Sequence, residues 1–425
     1  LSFVNTLSQL KESILSGDFG SVYYVSQYEN PIEERKLLSS ISALCKDRSI
    51  YLTIDESQCD LQTDRLLSPH INVDCVTLGD NLSGGLFPIG VMIARSDYYR
   101  VWDDFMNCLL HSSTFGGNAI ACAISTTFLS NTLCGNLTSQ GEAVVIERND
   151  RWKDFLFETL VNPQGARNYQ MVGLDVEFCK ARGISMWTKS GVRILDCTGN
   201  YGCSLRGHNN EDVLRVVARN DLFSHSWATS LEAAICKEAG LDCALFSVSG
   251  ATAVDSVLMI ARSANPAGRK ILSFKGNYSG KTLASMNLSL RSPILRGSDR
   301  EAFTPHTTDI VYVDPNGADA EDQLKTHLAG GDVFLVWFEL IQGSLCQPIQ
   351  QNLIDIVQEY REAGGYLIGV DEVLTGYWRM GSHFLASQKK GLSPDLVTLG
   401  KQMSDMMVPI GALLTTKAVK DASVK

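Results

Sequence analysis

Long apolar runs are missing from this chain. Its uninterrupted hydrophobic stretches, such as Val333 to Phe338, fall far short of the roughly 20 residues a membrane-spanning helix needs, so no membrane partner is expected. Clusters of Lys and Arg interleaved with aromatics are missing too. With 37 basic against 47 acidic residues the net charge is −10, which repels a phosphate backbone, and nucleic acid is not an expected partner. The twelve cysteines form no CxxC pair and keep no regular spacing. They read as small buried hydrophobes in a reducing, cytoplasmic compartment rather than as a disulfide frame. A signal-peptide pattern is absent, because polar residues interrupt LSFVNTLSQLKESIL, whose apolar spacing is helical. No initiator Met opens the chain, which reads as a fragment of something longer.

What is present is an ordinary globular composition, 425 residues with 44% hydrophobic and 20% charged, and two domains are expected. Self-similarity organises them. QLKESILSGD (9 to 18) matches QLKTHLAGGD (323 to 332) at five of ten positions, and YLTIDES (51 to 57) matches YLIGVDEV (366 to 373). VTLGDNLSGGLFPIG (76 to 90) matches VTLGKQMSDMMVPIG (397 to 411) at eight of fifteen. The matches keep their order and nearly constant offset, so the repeat is a duplicated, domain-sized block. In both copies a helix ending in Gly-Asp precedes a strand, an amphipathic helix, a strand ending in Asp-Glu and a Gly-rich loop, as VFLVWFEL, LIDIVQEYREAGG and YLIGVDEV illustrate. Such alternation predicts an α/β fold with a mostly parallel sheet covered by helices, its ligands at the carboxyl ends of the strands. Residues 131 to 170 are polar and read as a connector. The expected domains are residues 1–145 and 146–425.

Four features of the second copy could carry chemistry. Lys401, after the apolar PDLVTLG, could form a Schiff base, or be one more solvated lysine. Asp371 ends a buried-looking strand, where a carboxylate needs a cation such as a protonated pyridine nitrogen or an Arg, or caps a helix. SVSGATAVDSVLMIAR reads as strand, small-residue turn and helix, and the backbone N–H groups around Gly250, Ala251 and Thr252 form either a phosphate cradle or a plain capped helix start. FKGNYSGKT sets Tyr278 in a Gly-flanked loop, able to lie on a planar cofactor or to pack on the core.

Taken in order, SGATAVDS, FKGNYSGKT, FELIQG, VDEVLTGYWRMG, PDLVTLGK and PIGA resemble the class III, fold type I aminotransferases that use pyridoxal 5'-phosphate, the ornithine and 4-aminobutyrate type. The resemblance covers about residues 165 to 425. It implies Lys401 as the Schiff-base lysine and proton shuttle, and Asp371 as the partner of the pyridine nitrogen. It further implies Gly250 and Ala251, with Thr252, as phosphate donors, and Tyr278 and Val373 as the groups on the two ring faces. Glu339, in FELIQG, would stand at the substrate entrance and help choose between amino donor and oxo acid acceptor. Departures are Ala251 for a Thr, Ser279 for a His, Leu340 for a Pro, Leu374 for a Gln, and SDMMV where the family has a Gly-rich run.

The first copy resembles the same family through SPHINVDCVTLGDNLSGGLFPIG and STFGGNAIACA, but Asp80 stands for the lysine, and a carboxylate forms no imine. The resemblance implies a dimeric active unit in which the Thr of STFGGN reaches the partner's phosphate. Thr114 is therefore expected to serve the site of Lys401, with the first copy in the partner's place as a pseudo-dimer, or within a homo-oligomer. The family's small C-terminal domain, with its carboxylate-binding Arg, lies farther beyond the lysine than the 24 residues that follow Lys401. The expected activity is amino-group transfer. An aminomutase, decarboxylase or racemase on the same cofactor, or a non-catalytic scaffold, stays open.

Overall fold

The computed structural model describes residues 6–17, 19–26, 31–59, 66–99, 116, 118–132, 163–173, 175–219, 226–289 and 309–424. Two compact units divide the chain, and the main break lies between residues 174 and 175 instead of at the expected 145/146. The helix Pro163–Met171, which begins inside the expected connector, belongs to the first unit.

The first unit is built on a four-stranded sheet in the order β1 (Ser21–Val25), β2 (Tyr51–Asp55), β3 (Cys75–Leu78), β4 (Val91–Ala94). β1, β2 and β3 are parallel, and β4 runs antiparallel to β3. A helix, Pro31–Asp47, connects the first two strands, as a parallel crossover requires. Its Leu38, Ile41 and Cys45 recur at helical spacing and are buried on Leu52 and Ile54 of β2.

The second unit holds a three-stranded antiparallel sheet, β5 (Phe178–Arg182), β6 (Ser185–Thr188) and β7 (Arg193–Leu195). Its main sheet contains β8 (Cys243–Ser247), β9 (Lys270–Phe274), β10 (Asp309–Val313) and β11 (Val333–Phe338). After a short ribbon of β12 (Ile341–Gln342) and β13 (Gln347–Pro348) come β14 (Leu367–Asp371), β15 (Leu396–Leu399) and β16 (Gly411–Thr415). The seven-stranded order is β10-β9-β11-β14-β15-β16-β8, and β16 alone is antiparallel to its neighbours. Every residue of β11 is buried because helices cover both faces. Leu335 and Trp337 pack with Val254 and Val257 of the helix Gly250–Ala264, while Val336 and Phe338 pack with Ile354 and Val357 of the helix Gln351–Glu359.

The sheets of the two units agree in detail. β1-β2-β3-β4 has the order and strand directions of β11-β14-β15-β16. Asp55 sits opposite Thr77 as Asp371 sits opposite Thr398, and Leu78 opposite Val91 as Leu399 opposite Ala412. Each Asp accepts the N–H two residues on at 2.9 Å, from Ser57 and from Val373. Each following Glu is buried and accepts two backbone N–H groups: Glu56 from Leu67 and Ser68, Glu372 from Ala386 and Ser387. Asp80–Ser83 and Lys401–Ser404 are both single 3₁₀ turns. Ser83 Oγ closes its loop on Phe87 as Ser404 Oγ closes its own on Val408.

The cysteine expectation needs correction. All ten described cysteines are free, but Cys122, Cys179, Cys197 and Cys346 are exposed. Each lies on a solvent-facing helix side, an edge or a loop, where alternation rather than residue type decides burial. Among the described residues no helix is long and apolar enough to cross a membrane, and no group of acidic, His and Cys side chains could hold a metal.

Candidate active site

Asp371, Glu339 and Lys401 converge at the carboxyl ends of β11, β14 and β15, where a parallel sheet opens toward ligands. Asp371 is 5% exposed. One oxygen, Oδ1, accepts the Val373 N–H, and Oδ2 has no hydrogen-bond partner among the described residues. Burial pushes the Asp371 carboxyl well above its usual range, against the opposing pull of the Val373 N–H, the Lys401 charge and the neighbouring Thr398 hydroxyl. That hydroxyl is buried and makes no well-formed hydrogen bond among the described residues. Glu339 is raised as well, first by burial and then by the negative charge of Asp371, while the Tyr278 and Gly343 N–H groups and Lys401 oppose the rise. Two buried carboxyls within electrostatic reach of one lysine form a site short of positive charge.

Glu339, expected at a substrate entrance, is 4% exposed. Its Oε2 accepts the Tyr278 N–H at 2.6 Å and its Oε1 accepts the Gly343 N–H at 3.1 Å, so it fastens the Tyr278 loop to the end of β11. The buried carboxylate is thus an acceptor for two loop amides, as a buried polar group requires partners.

Lys401 itself has φ 41°, in the left-handed region that a lysine seldom adopts, and such strain concentrates at functional positions. Gly400 before it closes on the helix start: a Cβ there would lie 3.2 Å from the Gly250 backbone and 3.3 Å from Val373 Cγ1. A Cβ on Gly250 would come within 2.7 Å of Val373 Cγ2. Both glycines let Val373 and the start of the helix Gly250–Ala264 come together beside the lysine.

At that helix start a capping box forms. Ser249 Oγ accepts the Thr252 N–H at 3.2 Å and Thr252 Oγ1 accepts the Ser249 N–H at 3.1 Å. Thr252, expected to face a phosphate, is thus engaged in the cap. By position, the amides that the helix leaves unpaired are those of Gly250 and Ala251. Gly280, in the Tyr278 loop, approaches them so closely that a Cβ on it would stand 2.6 Å from Ala251 Cβ. Gly250, Ala251, Tyr278, Glu339, Asp371, Val373 and Lys401 therefore share one locality. Thr114 lies outside the described residues.

The corresponding Asp of the first unit is already satisfied. Asp55 Oδ2 accepts the Tyr23 hydroxyl at 2.6 Å and Oδ1 accepts the Thr77 hydroxyl at 3.0 Å. Burial alone would raise this carboxyl, but the bonds from Tyr23, Ser57 and Thr77 outweigh it and hold it at about 2. Sequence gave no hint of Tyr23, because its bond depends on the pairing of β1 with β2.

A group with a flat cationic nitrogen and a phosphate fits the second unit on two observations: the open oxygen of the buried Asp371, and the unpaired amides of a helix start kept clear by glycine. The chain matches the model of the class-III aminotransferase family over residues 31–152 and 165–424. An acetylornithine aminotransferase from Archaeoglobus fulgidus is 26% identical over 251 residues, covering 57% of this chain and 64% of that protein. One from Streptococcus mutans is 30% identical over 250 residues, covering 57% of this chain and 63% of its own length. The chain thus spans less than two thirds of the length of these curated relatives. Among solved structures, the ornithine aminotransferase of Toxoplasma gondii ME49 has TM-score 0.53 at 24% identity, covering 61% of this chain and 63% of that one. The taurine:2-oxoglutarate aminotransferase of Bifidobacterium kashiwanohense, solved with PLP and glutamate, has TM-score 0.51 at 22% identity, covering 58% and 61%. At these identities the likeness is one of fold, the fold type I α/β architecture.

Proposed function

Because this chain belongs to the class III aminotransferase family, we propose that its second unit binds pyridoxal 5'-phosphate and moves an amino group between an amine or amino acid and a 2-oxo acid. The observation that carries the proposal is Asp371: a buried carboxylate with one open oxygen, lifted by burial, at a strand end beside Lys401. Bound there, pyridoxal phosphate supplies an electron sink for bonds at the substrate Cα. Asp371 holds the ring nitrogen protonated. Gly250 and Ala251 donate backbone N–H groups to the phosphate, with the Thr252 side chain holding the turn that presents them. Tyr278 and Val373 hold the ring between them, and Lys401 carries the cofactor and moves the proton at Cα. Glu339 fixes the Tyr278 loop.

We assign the first unit as a duplicated copy without a cofactor site. The matching strand order, register and loop bonds support duplication, and two features support silence: Asp80 in the lysine position and the Tyr23 hydroxyl on Asp55. A phosphate contact by Thr114, in a pseudo-dimer or homo-oligomer, belongs to the same proposal and rests on the wording STFGGN. A cytoplasmic location rests on the free thiols.

Titration of the chain with pyridoxal phosphate, followed by visible absorbance, tests the proposal. A band that forms in the wild type, vanishes in Lys401→Ala, and is discharged by an amine with release of an oxo product supports amino transfer. Release of CO2 instead would reassign the chemistry to decarboxylation, and a Lys401→Ala protein with an unchanged band would refute the site. Thr114→Val should retain cofactor less well; unchanged retention removes Thr114 from the assignment.

A further inference from the structure

Four residues after Lys401, Asp405 occupies a backbone conformation that favours glycine. Its φ is 53°, and Met406 follows at 68°. In the first unit the same loop positions are Gly84 and Gly85, at 64° and 76°. The second unit thus keeps the left-handed turn but fills its first position with a carboxylate, which an unstrained loop would not require.

That carboxylate is 5% exposed on its side chain and fully engaged. Asp405 Oδ1 accepts the Arg206 N–H at 3.2 Å, and Oδ2 accepts Arg206 Nε at 2.8 Å and Asn210 Nδ2 at 2.7 Å. Arg206 in turn donates through Nη1 to Asp212 at 2.6 Å. Three charge-assisted bonds thus tie residues 206–210 to the loop of the lysine.

The segment so held runs beside the site. Upstream, Asp196 anchors it by accepting the Thr198 N–H and hydroxyl, the Gly199 N–H and His208 Nε2, at 2.8 to 3.0 Å. Between the two carboxylates lie four consecutive left-handed residues, Gly199 to Gly202. A Cβ on Gly202 would stand 3.3 Å from Leu374 Cδ1 and 3.6 Å from Arg379 Nη2, and the Gly202 carbonyl accepts a bond from Arg379. Cys203 is fully buried; burial raises its thiol, and the charges of Lys401 and Arg379 oppose the rise.

We propose that Asp405 is a positioning residue for the Lys401 site: it clamps the 199–206 segment onto the lysine's own loop, fixing the approach of Gly202 to Leu374 and the setting of Lys401. This role rests on the cofactor function proposed above. Asp405 touches no reacting atom and acts through Arg206 and Asn210.

The test compares wild type, Asp405→Gly, Arg206→Ala and the double variant in the full chain. Glycine removes the strain along with the carboxylate, so a purely local role predicts a neutral or stabilising change. The clamp predicts pyridoxal phosphate dissociation constants roughly tenfold higher in each single variant, with the double variant no worse than either, because the partners act as one unit. It also predicts a shifted pH midpoint of the Lys401-dependent visible band and faster amide hydrogen exchange over residues 199–210. Faster exchange with unchanged affinity and midpoint would overturn the role, as would additive effects. Should Asp405→Gly fail to fold, the exposed Arg206→Ala decides alone by the same readouts. A wild-type chain that forms no Lys401-dependent band overturns the function itself, a failure visible before any variant is made.

Discussion

Asp371 and Asp55 each end a strand opposite a threonine of the neighbouring parallel strand, and their carboxyls move in opposite directions. Asp371 is raised by burial, while Asp55 is held at about 2 by the hydroxyls of Tyr23 and Thr77 and the Ser57 N–H. The difference lies in burial and in two hydroxyls: Asp371 is buried, whereas Asp55 is partly exposed and accepts the Tyr23 and Thr77 hydroxyls, bonds without counterpart at Asp371 among the described residues. For Asp371 the folded value exceeds the unfolded one of about 3.9, so its contribution to stability is fully present below that pH and is lost as pH rises through the folded value. Cofactor-free Asp371→Asn should therefore gain stability over wild type as pH rises above about 4, while binding pyridoxal phosphate at least roughly tenfold more weakly. Thermal melts across pH with a cofactor titration check both signs. For Asp55 the folded value is depressed, so its stability is present above the unfolded value and is lost as pH falls toward about 2. Tyr23→Phe narrows that window. Acid unfolding followed by circular dichroism should shift to higher pH, with about 0.5 kcal/mol lost near neutrality because Tyr23 is 61% exposed.

Among elements, the helix Gly250–Ala264 does two tasks, covering Leu335 and Trp337 of β11 and presenting its first amides to the site. Ser249 serves both. Ser249→Ala should cost about 1 kcal/mol in denaturant unfolding and weaken cofactor binding through the loosened first turn; an intact affinity would mean that the cap does not hold the cradle. The elements themselves were legible in the sequence, since helical spacing in LIDIVQEY and the unbroken apolar VFLVWF depend only on local pattern. As candidates, Lys401 and Asp371 were legible from motif order. Tyr23 on Asp55 and Arg206 on Asp405 were not, because these bonds join residues 32 and 199 positions apart. Glu339 was expected at a substrate entrance, and nothing in FELIQG tells that two loop amides take its oxygens.

At the scale of the molecule, two units share one sheet plan, and the proposed division of labour assigns the cofactor to one of them. A ligand that binds only the second unit should stabilise that unit alone, by about 2.7 kcal/mol at a hundredfold excess over its dissociation constant. Calorimetry with and without pyridoxal phosphate should thus move part of the unfolding transition and leave the rest. The most direct measurement is borohydride reduction of the pyridoxal phosphate-loaded chain, followed by peptide mapping and cofactor counting. One pyridoxyl group per chain is expected, on Lys401, and none in Lys401→Ala. Label on a lysine of the first unit, two groups per chain, or undiminished specific labelling of Lys401→Ala would contradict it.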